Sequence, residues 1–215
     1  EHDNEGMSSF SHVSDDVIAG NFYNKYESRN IISRYLMRGF WQAFDELVAR
    51  TKASTVFECG CGEGYLSLRL LAQQYDVRGC DRDPGIVEVA NQRAEAQGYG
   101  RRFVVKDFMN ASLDVEAKRA DLLVCCQVLE HLSDPVKALA RIEDQARDWV
   151  LLSVPREPLW RILNVIRLAY VSRLGNTPGH LQHWSTKSFR EFAATRFEIV
   201  EQLTPTPWTF LLCRK

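Results

Sequence analysis

The sequence lacks a long apolar run: nowhere in its 215 residues do apolar positions continue for the ~18 that a membrane-spanning helix needs. That argues against an integral membrane protein. It also lacks an excess of charge. Lys plus Arg number 27 and Asp plus Glu 28, for a net charge of -1. A chain so balanced is not built as an electrostatic nucleic-acid binder, and no nucleic-acid partner is expected. Six cysteines are present, too thinly spread for a secreted disulfide scaffold. Cys59-x-Cys61 and the adjacent Cys125-Cys126 lack the two-residue spacer of a zinc knuckle, so no metal site is expected. Residues 1–6 are polar and acidic, unlike a signal peptide, and are expected to be a remnant ahead of Met7, outside the fold. These absences together point to a cytoplasmic location. No internal repeat, low-complexity tract or linker interrupts the chain, and its length favours one domain.

What is present is an alternation. A short helix is expected over 14–26, followed by a helical stripe through Leu36, Met37, Phe40, Trp41, Phe44, Leu47 and Val48. Apolar strands are then expected at 55–59, 76–81, 102–107, 120–126 and 149–155. Helices are expected between them at 65–74, 84–97 and from the Ser133-Asp134-Pro135 cap to 146. Continuous apolar strands alternating with helices mean a parallel sheet covered on both faces. A further helix near 185–195 leads into two closing strands, 197–203 and 208–213. The tight Pro205-Thr206-Pro207 connection makes that last pair antiparallel.

The sharpest local feature is Glu58-Cys59-Gly60-Cys61-Gly62-Glu63-Gly64, directly after a strand and opening a helix. Glycines there permit a tight turn and close backbone approach to a ligand. Tyr65 stands where a dinucleotide fingerprint needs its third glycine, and no Gly-Lys-Ser/Thr follows, so the loop is not expected to cradle phosphate. Its surroundings are acidic. Asp81, beside Arg82, ends the second strand, where a carboxylate can accept both hydroxyls of a ribose; Asp107 ends the third, followed by the aromatic Phe108. Taken singly, either aspartate serves equally well as a turn cap. Together, at strand carboxyl ends, they describe a site for a phosphate-free, cationic nucleoside, and S-adenosylmethionine fits.

At these residues the sequence resembles the class I S-adenosylmethionine-dependent methyltransferases. Val56 to Gly64 looks like their first motif, Gly79-Cys80-Asp81 their second, Lys106-Asp107-Phe108 their third, and Asp121 to His131 their fourth. The resemblance covers roughly 55–155. It implies a Rossmann-like, seven-stranded, mostly parallel sheet with helices on both faces and an antiparallel C-terminal strand pair. It further implies S-adenosylmethionine as cofactor and S-adenosylhomocysteine as product. Gly60, Cys61 and Gly62 would approach the cofactor's tail, Asp81 would hold the ribose, Asp107 and Phe108 the adenine, and Cys126 and Gln127 would line the cleft. Residues 1–54 are expected as an N-terminal helical cover and 55–215 as the core, with a helical lid over 156–184.

The acceptor is less sharply drawn. Cys126-Gln127-Val128-Leu129 departs from the Asn/Asp-Pro-Pro-Tyr/Phe of amino-methylating DNA enzymes, and Leu129-Glu130-His131-Leu132 resembles the ubiquinone-pathway O-methyltransferase group. That resemblance implies a small acceptor methylated at oxygen; methylation of RNA or protein, or cofactor binding without catalysis, are the alternatives. His131, His180 and His183 are candidate general bases, since imidazole titrates near working pH; turn and packing roles compete with that reading. Trp160, Tyr23, Tyr26 and His183 are candidate acceptor contacts. Arg34, in Asn30-Ile31-Ile32-Ser33-Arg34, would meet the cofactor carboxylate. Over 159–174, Arg161, Asn164, Arg167 and Ser172 share one arc of a helical wheel with Leu168. Such a helix is read as core, as a lid, or as a peripheral contact with an anionic membrane. Oligomeric state has no signature in the sequence.

Overall fold

The computed structural model describes residues 31–110, 120–166 and 174–215. Helix α1 (Ile31–Thr51) precedes β1 (Thr55–Cys59), α2 (Tyr65–Ala72), β2 (Asp76–Asp81), α3 (Pro84–Ala96) and β3 (Phe103–Val105). Then come β4 (Leu122–Cys126), α4 (Pro135–Gln145), β5 (Trp149–Pro155), α5 (Leu159–Ile166), α6 (Thr186–Ala193), β6 (Glu198–Leu203) and β7 (Trp208–Arg214). The strands form one sheet in the order β3-β2-β1-β4-β5-β7-β6. The first five are parallel, and β7 runs antiparallel to both β5 and β6. The expected seven-stranded class is therefore the class observed. The sequence left unspecified that the last strand inserts between β5 and β6.

Local chemistry explains the element ends. Asp83 accepts the Ile86 N–H at 3.0 Å and Asp134 the Lys137 N–H at 2.9 Å, each with proline at the first helical position of α3 and α4. Ser185 and Ser188 close a reciprocal capping box at the start of α6. Two apolar layers sandwich the sheet. Phe40, Phe44 and Leu47 of α1, with Leu70 of α2 and Ala90 of α3, pack on Val56, Val77, Val124 and Leu151. On the other face, Leu139 and Ile142 of α4 and Phe189 of α6 pack on Phe57, Leu123, Val150 and Leu152. Alternate residues of each strand serve alternate faces, which is why the strands read as unbroken apolar runs.

One expectation is corrected and another is described only in part. The third strand is only Phe103–Val105, because Asp107 turns the chain by accepting from the Met109 N–H. Helix α5 is described as far as Ile166; of its polar arc, Arg161 is half-buried and Asn164 faces inward. Asn164 is buried and donates to Gly175 O (2.9 Å) and Thr177 Oγ1 (3.2 Å), while Ile162 and Val165 are exposed. Buried backbone and hydroxyl groups of the following segment need partners, and Asn164 supplies them. The expected helix at 14–26, with Tyr23 and Tyr26, lies outside the described residues, as do Arg167, Leu168, Ser172 and Arg173.

At the amino end of the sheet, Asp121 Oδ2 accepts from the N–H and hydroxyl of Ser54 (both 3.0 Å) and from those of Thr55 (3.1 and 2.9 Å). These bonds hold its carboxyl down, at about 2. A lowered folded pKa adds stability that is present above the unfolded value of about 4 and is lost as pH falls toward 2. Asp121→Ala should therefore lower the free energy of unfolding by about 1–2 kcal/mol at neutral pH. The difference from the parent should close between about pH 4 and 2 in denaturant titrations.

Candidate active site

Strand order reverses at β1, whose neighbours are β2 and β4. The loops leaving β1 and β4 therefore diverge, and open α/β sheets bind ligands in such a crevice. Here the crevice is a cavity of about 410 Å³. That volume suits a small-molecule ligand.

The glycine loop forms one wall. Gly60 N–H and Cys61 N–H both donate to Cys80 O, at 2.8 and 2.9 Å, which bends the chain sharply off β1. Gly60 has φ +73°, and a Cβ there would stand 2.6 Å from Val128 Cγ2, so no side chain fits. Gly62 (φ +51°) has nothing within 4 Å of a Cβ position; it turns its backbone to open space and its N–H to Asp81 Oδ2 at 3.0 Å. The other Asp81 oxygen accepts from Asp83 N–H at 3.1 Å. Each oxygen keeps lone-pair capacity for a further donor.

Five carboxylates line the cavity: Glu58, Asp81 and Asp107, at or just past the ends of β1, β2 and β3, with Glu63 and Asp134. Glu58 is only 3% exposed and accepts from Ser67 Oγ at 2.5 Å. Burial, reinforced by Asp81, pushes its carboxyl up to about 8 against the pull of Ser67. Asp107 is held by the Met109 N–H (2.9 Å) and Asn110 Nδ2 (2.7 Å), with buried Phe108 beside it. Gln127 adopts φ +60°, a costly backbone for a residue with a side chain. Its N–H reaches Ser153 O at 2.9 Å and its Nε2 reaches Ser153 Oγ at 3.1 Å. The Cys61 and Cys125 thiols are pushed well up, chiefly by burial, so these sulfurs are neutral apolar filling rather than thiolates.

His131 also lines the cavity. His131 follows β4 in a single 3-10 turn, Leu129–His131. Its Nδ1 lies 2.9 Å from Gly179 O. A carbonyl can only accept, so Nδ1 carries the proton and Nε2 keeps the lone pair in the neutral ring. Behind it, His180 stands edge-on to His131 (4.9 Å between ring centres) and stacks on Trp160 (6.0 Å). Trp160 Nε1 donates to Thr177 Oγ1 at 2.9 Å. The 177–184 strap is latched by Leu181 N–H and Gln182 N–H on Glu130 O (2.8 and 3.0 Å), and by Gln182 Nε2 on Leu132 O (3.0 Å). Glu130, His131 and His180 offer ligand atoms within 4.8 Å of one another, a group able to hold a metal ion where the sequence gave no such expectation.

The structure thus brings together Glu58, Gly60, Cys61, Gly62, Asp81, Arg82, Asp107, Phe108, Cys126, Gln127 and His131 on one cavity. His180 and Trp160 form a layer behind His131, outside that lining. His183 is exposed and bonds Asn176 Oδ1 at 2.9 Å. Arg34 is exposed on the first turns of α1, away from the lining. Sequence reasoning missed Tyr65, Asn110, Val128, Ser133 and Lys137 as cavity walls. Their signal was position: each lies just past the carboxyl end of a parallel strand or in the helix turn that follows.

Residues 56–148 match the family described as methyltransferase domain. The ubiquinone biosynthesis O-methyltransferase of Actinobacillus pleuropneumoniae serotype 5b (strain L20) is 31% identical over 87 residues, 39% of this chain and 37% of the relative. That of Coxiella burnetii (strain Dugway 5J108-111) is 32% identical over 88 residues, 41% of this chain and again 37% of the relative. The match therefore spans little more than a third of those relatives. Among solved structures, magnesium protoporphyrin IX methyltransferase from Synechocystis PCC 6803 with bound SAH superposes with a TM-score of 0.65 at 19% identity. That superposition covers 87% of this chain and 89% of the other. That neighbour holds SAH, and the cavity of this chain carries Glu58, Asp81 and Asp107 in its wall. Over residues 56–148 the chain is thus similar to methyltransferase domains, on a fold shared with solved methyltransferases.

Proposed function

We infer that this protein transfers a methyl group from S-adenosylmethionine to a small, apolar or aromatic acceptor at oxygen. The observation that carries the reading is that one cavity gathers Glu58, Asp81 and Asp107, at or just past the ends of three strands, together with His131. S-adenosylmethionine supplies an electrophilic methyl group on a sulfonium. Asp81 binds the ribose hydroxyls, Asp107 and Phe108 hold the base, and the Gly60–Gly62 backbone leaves room for the tail. His131 takes the proton of the acceptor hydroxyl on Nε2, because Gly179 O fixes its proton on Nδ1. The rest of catalysis is proximity: the latched strap and the cavity walls hold the acceptor in place and exclude water. The relatives' name, an O-methyltransferase of ubiquinone biosynthesis, supports oxygen as the atom and an apolar ring as the acceptor.

Peripheral membrane contact through 159–174 belongs to the same reading, since an apolar acceptor resides in lipid. No helix among the described residues is long and apolar enough to cross a membrane. The exposed Ile162 and Val165 of α5, with exposed Leu174 beyond it, are the apolar surface that would touch a bilayer.

Three outcomes are expected. Asp81→Ala should weaken S-adenosylmethionine binding by about 1–3 kcal/mol in calorimetric titration; unchanged affinity would remove Asp81 from the ribose. His131→Ala should lower kcat for methylation of a quinol or phenol by about 10²–10⁴ while cofactor affinity holds. A kcat within twofold of the parent would exclude His131 as base. The parent should float with anionic liposomes and the Ile162→Glu/Val165→Glu variant should not; failure of the parent to float ends the membrane reading.

A further inference from the structure

Helix α5 and the chain from Leu174 onward are tied together before the strap reaches the cavity. Arg161 Nε donates to Leu174 O at 3.3 Å, and Asn164 Nδ2 donates to Gly175 O at 2.9 Å. The next tie is made to a side chain. Thr177 Oγ1 accepts from Trp160 Nε1 at 2.9 Å and from Asn164 Nδ2 at 3.2 Å. Trp160 and Asn164 are four residues apart, so they share one face of the helix. Between them they use both lone pairs of the Thr177 hydroxyl oxygen.

Thr177 also opens a turn. Its C=O accepts the His180 N–H at 3.1 Å, with Pro178 in second place and Gly179, at φ +85°, in third. Proline followed by a left-handed glycine is the pattern of a type II turn. The peptide joining Gly179 to His180 is planar, so its N–H and C=O point opposite ways. With the N–H held on Thr177 O, the C=O is sent away from the turn, and it lies 2.9 Å from His131 Nδ1. The ring of His180 follows directly, edge-on to His131 and stacked on Trp160. The latches at Leu181 and Gln182 tie the strap farther along, to Glu130 O and Leu132 O, and leave the tilt of the 179–180 peptide to the Thr177 end.

We propose that Thr177 is a positioning residue for His131: through its hydroxyl, helix α5 holds Gly179 O on Nδ1 and so keeps the ring proton off Nε2. The proposal rests on the reading of His131 as the base that takes the acceptor's proton on Nε2. Removing the hydroxyl leaves the backbone turn but cuts its anchor to α5. Gly179 O is then free to swing off Nδ1, and a ring without that acceptor carries its proton on either nitrogen. A ring protonated on Nε2 has no lone pair there, so that fraction of molecules is inactive. The acceptor's methylation slows, while the cofactor's contacts at Asp81 and Asp107 are untouched.

The test is the tautomer of His131, read from long-range 1H–15N correlation spectra of the full chain at about pH 8, above the ordinary imidazole range. The His131 signals are assigned by their loss in His131→Ala. The parent should carry the proton on Nδ1. Thr177→Val, which removes the hydroxyl at nearly constant shape, should show both tautomers. Its kcat for a phenol or quinol should fall about five- to tenfold, the scale of one lost hydrogen bond, with S-adenosylmethionine affinity unchanged in calorimetric titration. Thr177→Ser should restore both the tautomer and kcat. Trp160→Phe keeps the ring and loses the N–H; with Asn164 still on Thr177, it should give a smaller change of the same sign, and it serves where Thr177→Val fails to fold. In a His131→Ala background, Thr177→Val should cost nothing further. A proton that stays on Nδ1 in Thr177→Val, whatever happens to kcat, overturns the proposal and leaves His131 as the base. So does a further loss of kcat in the His131→Ala background, since Thr177 then acts on something else. A kcat for His131→Ala equal to the parent's overturns the base reading, and the catalytic role of Thr177 with it.

Discussion

The double hydrogen bond from Gly60 N–H and Cys61 N–H to Cys80 O is the constraint on which the site depends. It pins the end of β1 to the end of β2, so the chain must leave the sheet in a turn that only glycine at position 60 can make under Val128. Once that turn is set, the residue after Cys80 has one place to go. Asp81 arrives where it takes the Gly62 N–H, and the loop and the carboxylate then hold each other in position. The same turn aims α2 so that Ser67 faces Glu58. Loop, acid and helix are one unit. A change to any of them moves the cavity wall as a whole.

The wall around His131 is built on a different principle. After β4 the chain makes a single 3-10 turn, and the strap carrying His180 is tied back onto it through Glu130 O, Leu132 O and Gly179 O. Glu130 O and Leu132 O are backbone carbonyls of the turn and Gly179 O one of the strap, and each would otherwise be short of a partner away from water. Satisfying them fixes the tautomer of His131 at no extra cost. A structural requirement and a chemical one are met by the same hydrogen bonds, and the aromatic stack of His180 on Trp160 backs them.

Much of this was legible in the sequence. The apolar strands ending in Cys59, Asp81 and Cys126 announce a parallel sheet, because buried strands need no polar face. The glycine loop and the aspartates at strand ends announce a crevice and its polarity. Helix α5 shows where reading stopped. Its wheel places Asn164 among arginines, yet Asn164 is buried, because the partners it satisfies, Gly175 O and Thr177 Oγ1, belong to a later segment that no wheel contains. His183 and His180 looked alike as turn histidines, and only the path of the strap puts one against His131 and the other in solvent.

The sequence by itself determined the class of fold, the loop that opens the site, and three of the carboxylates that line it, since each depends on residues close together in the chain. Tertiary structure alone decided the insertion of β7 between β5 and β6, the orientation of His131, and the burial of Glu58. The reason is common to all three. Strand neighbours, a histidine's hydrogen-bond acceptor 48 residues away, and the depth at which an acid is buried are set by the arrangement of distant segments, and local periodicity carries no record of them.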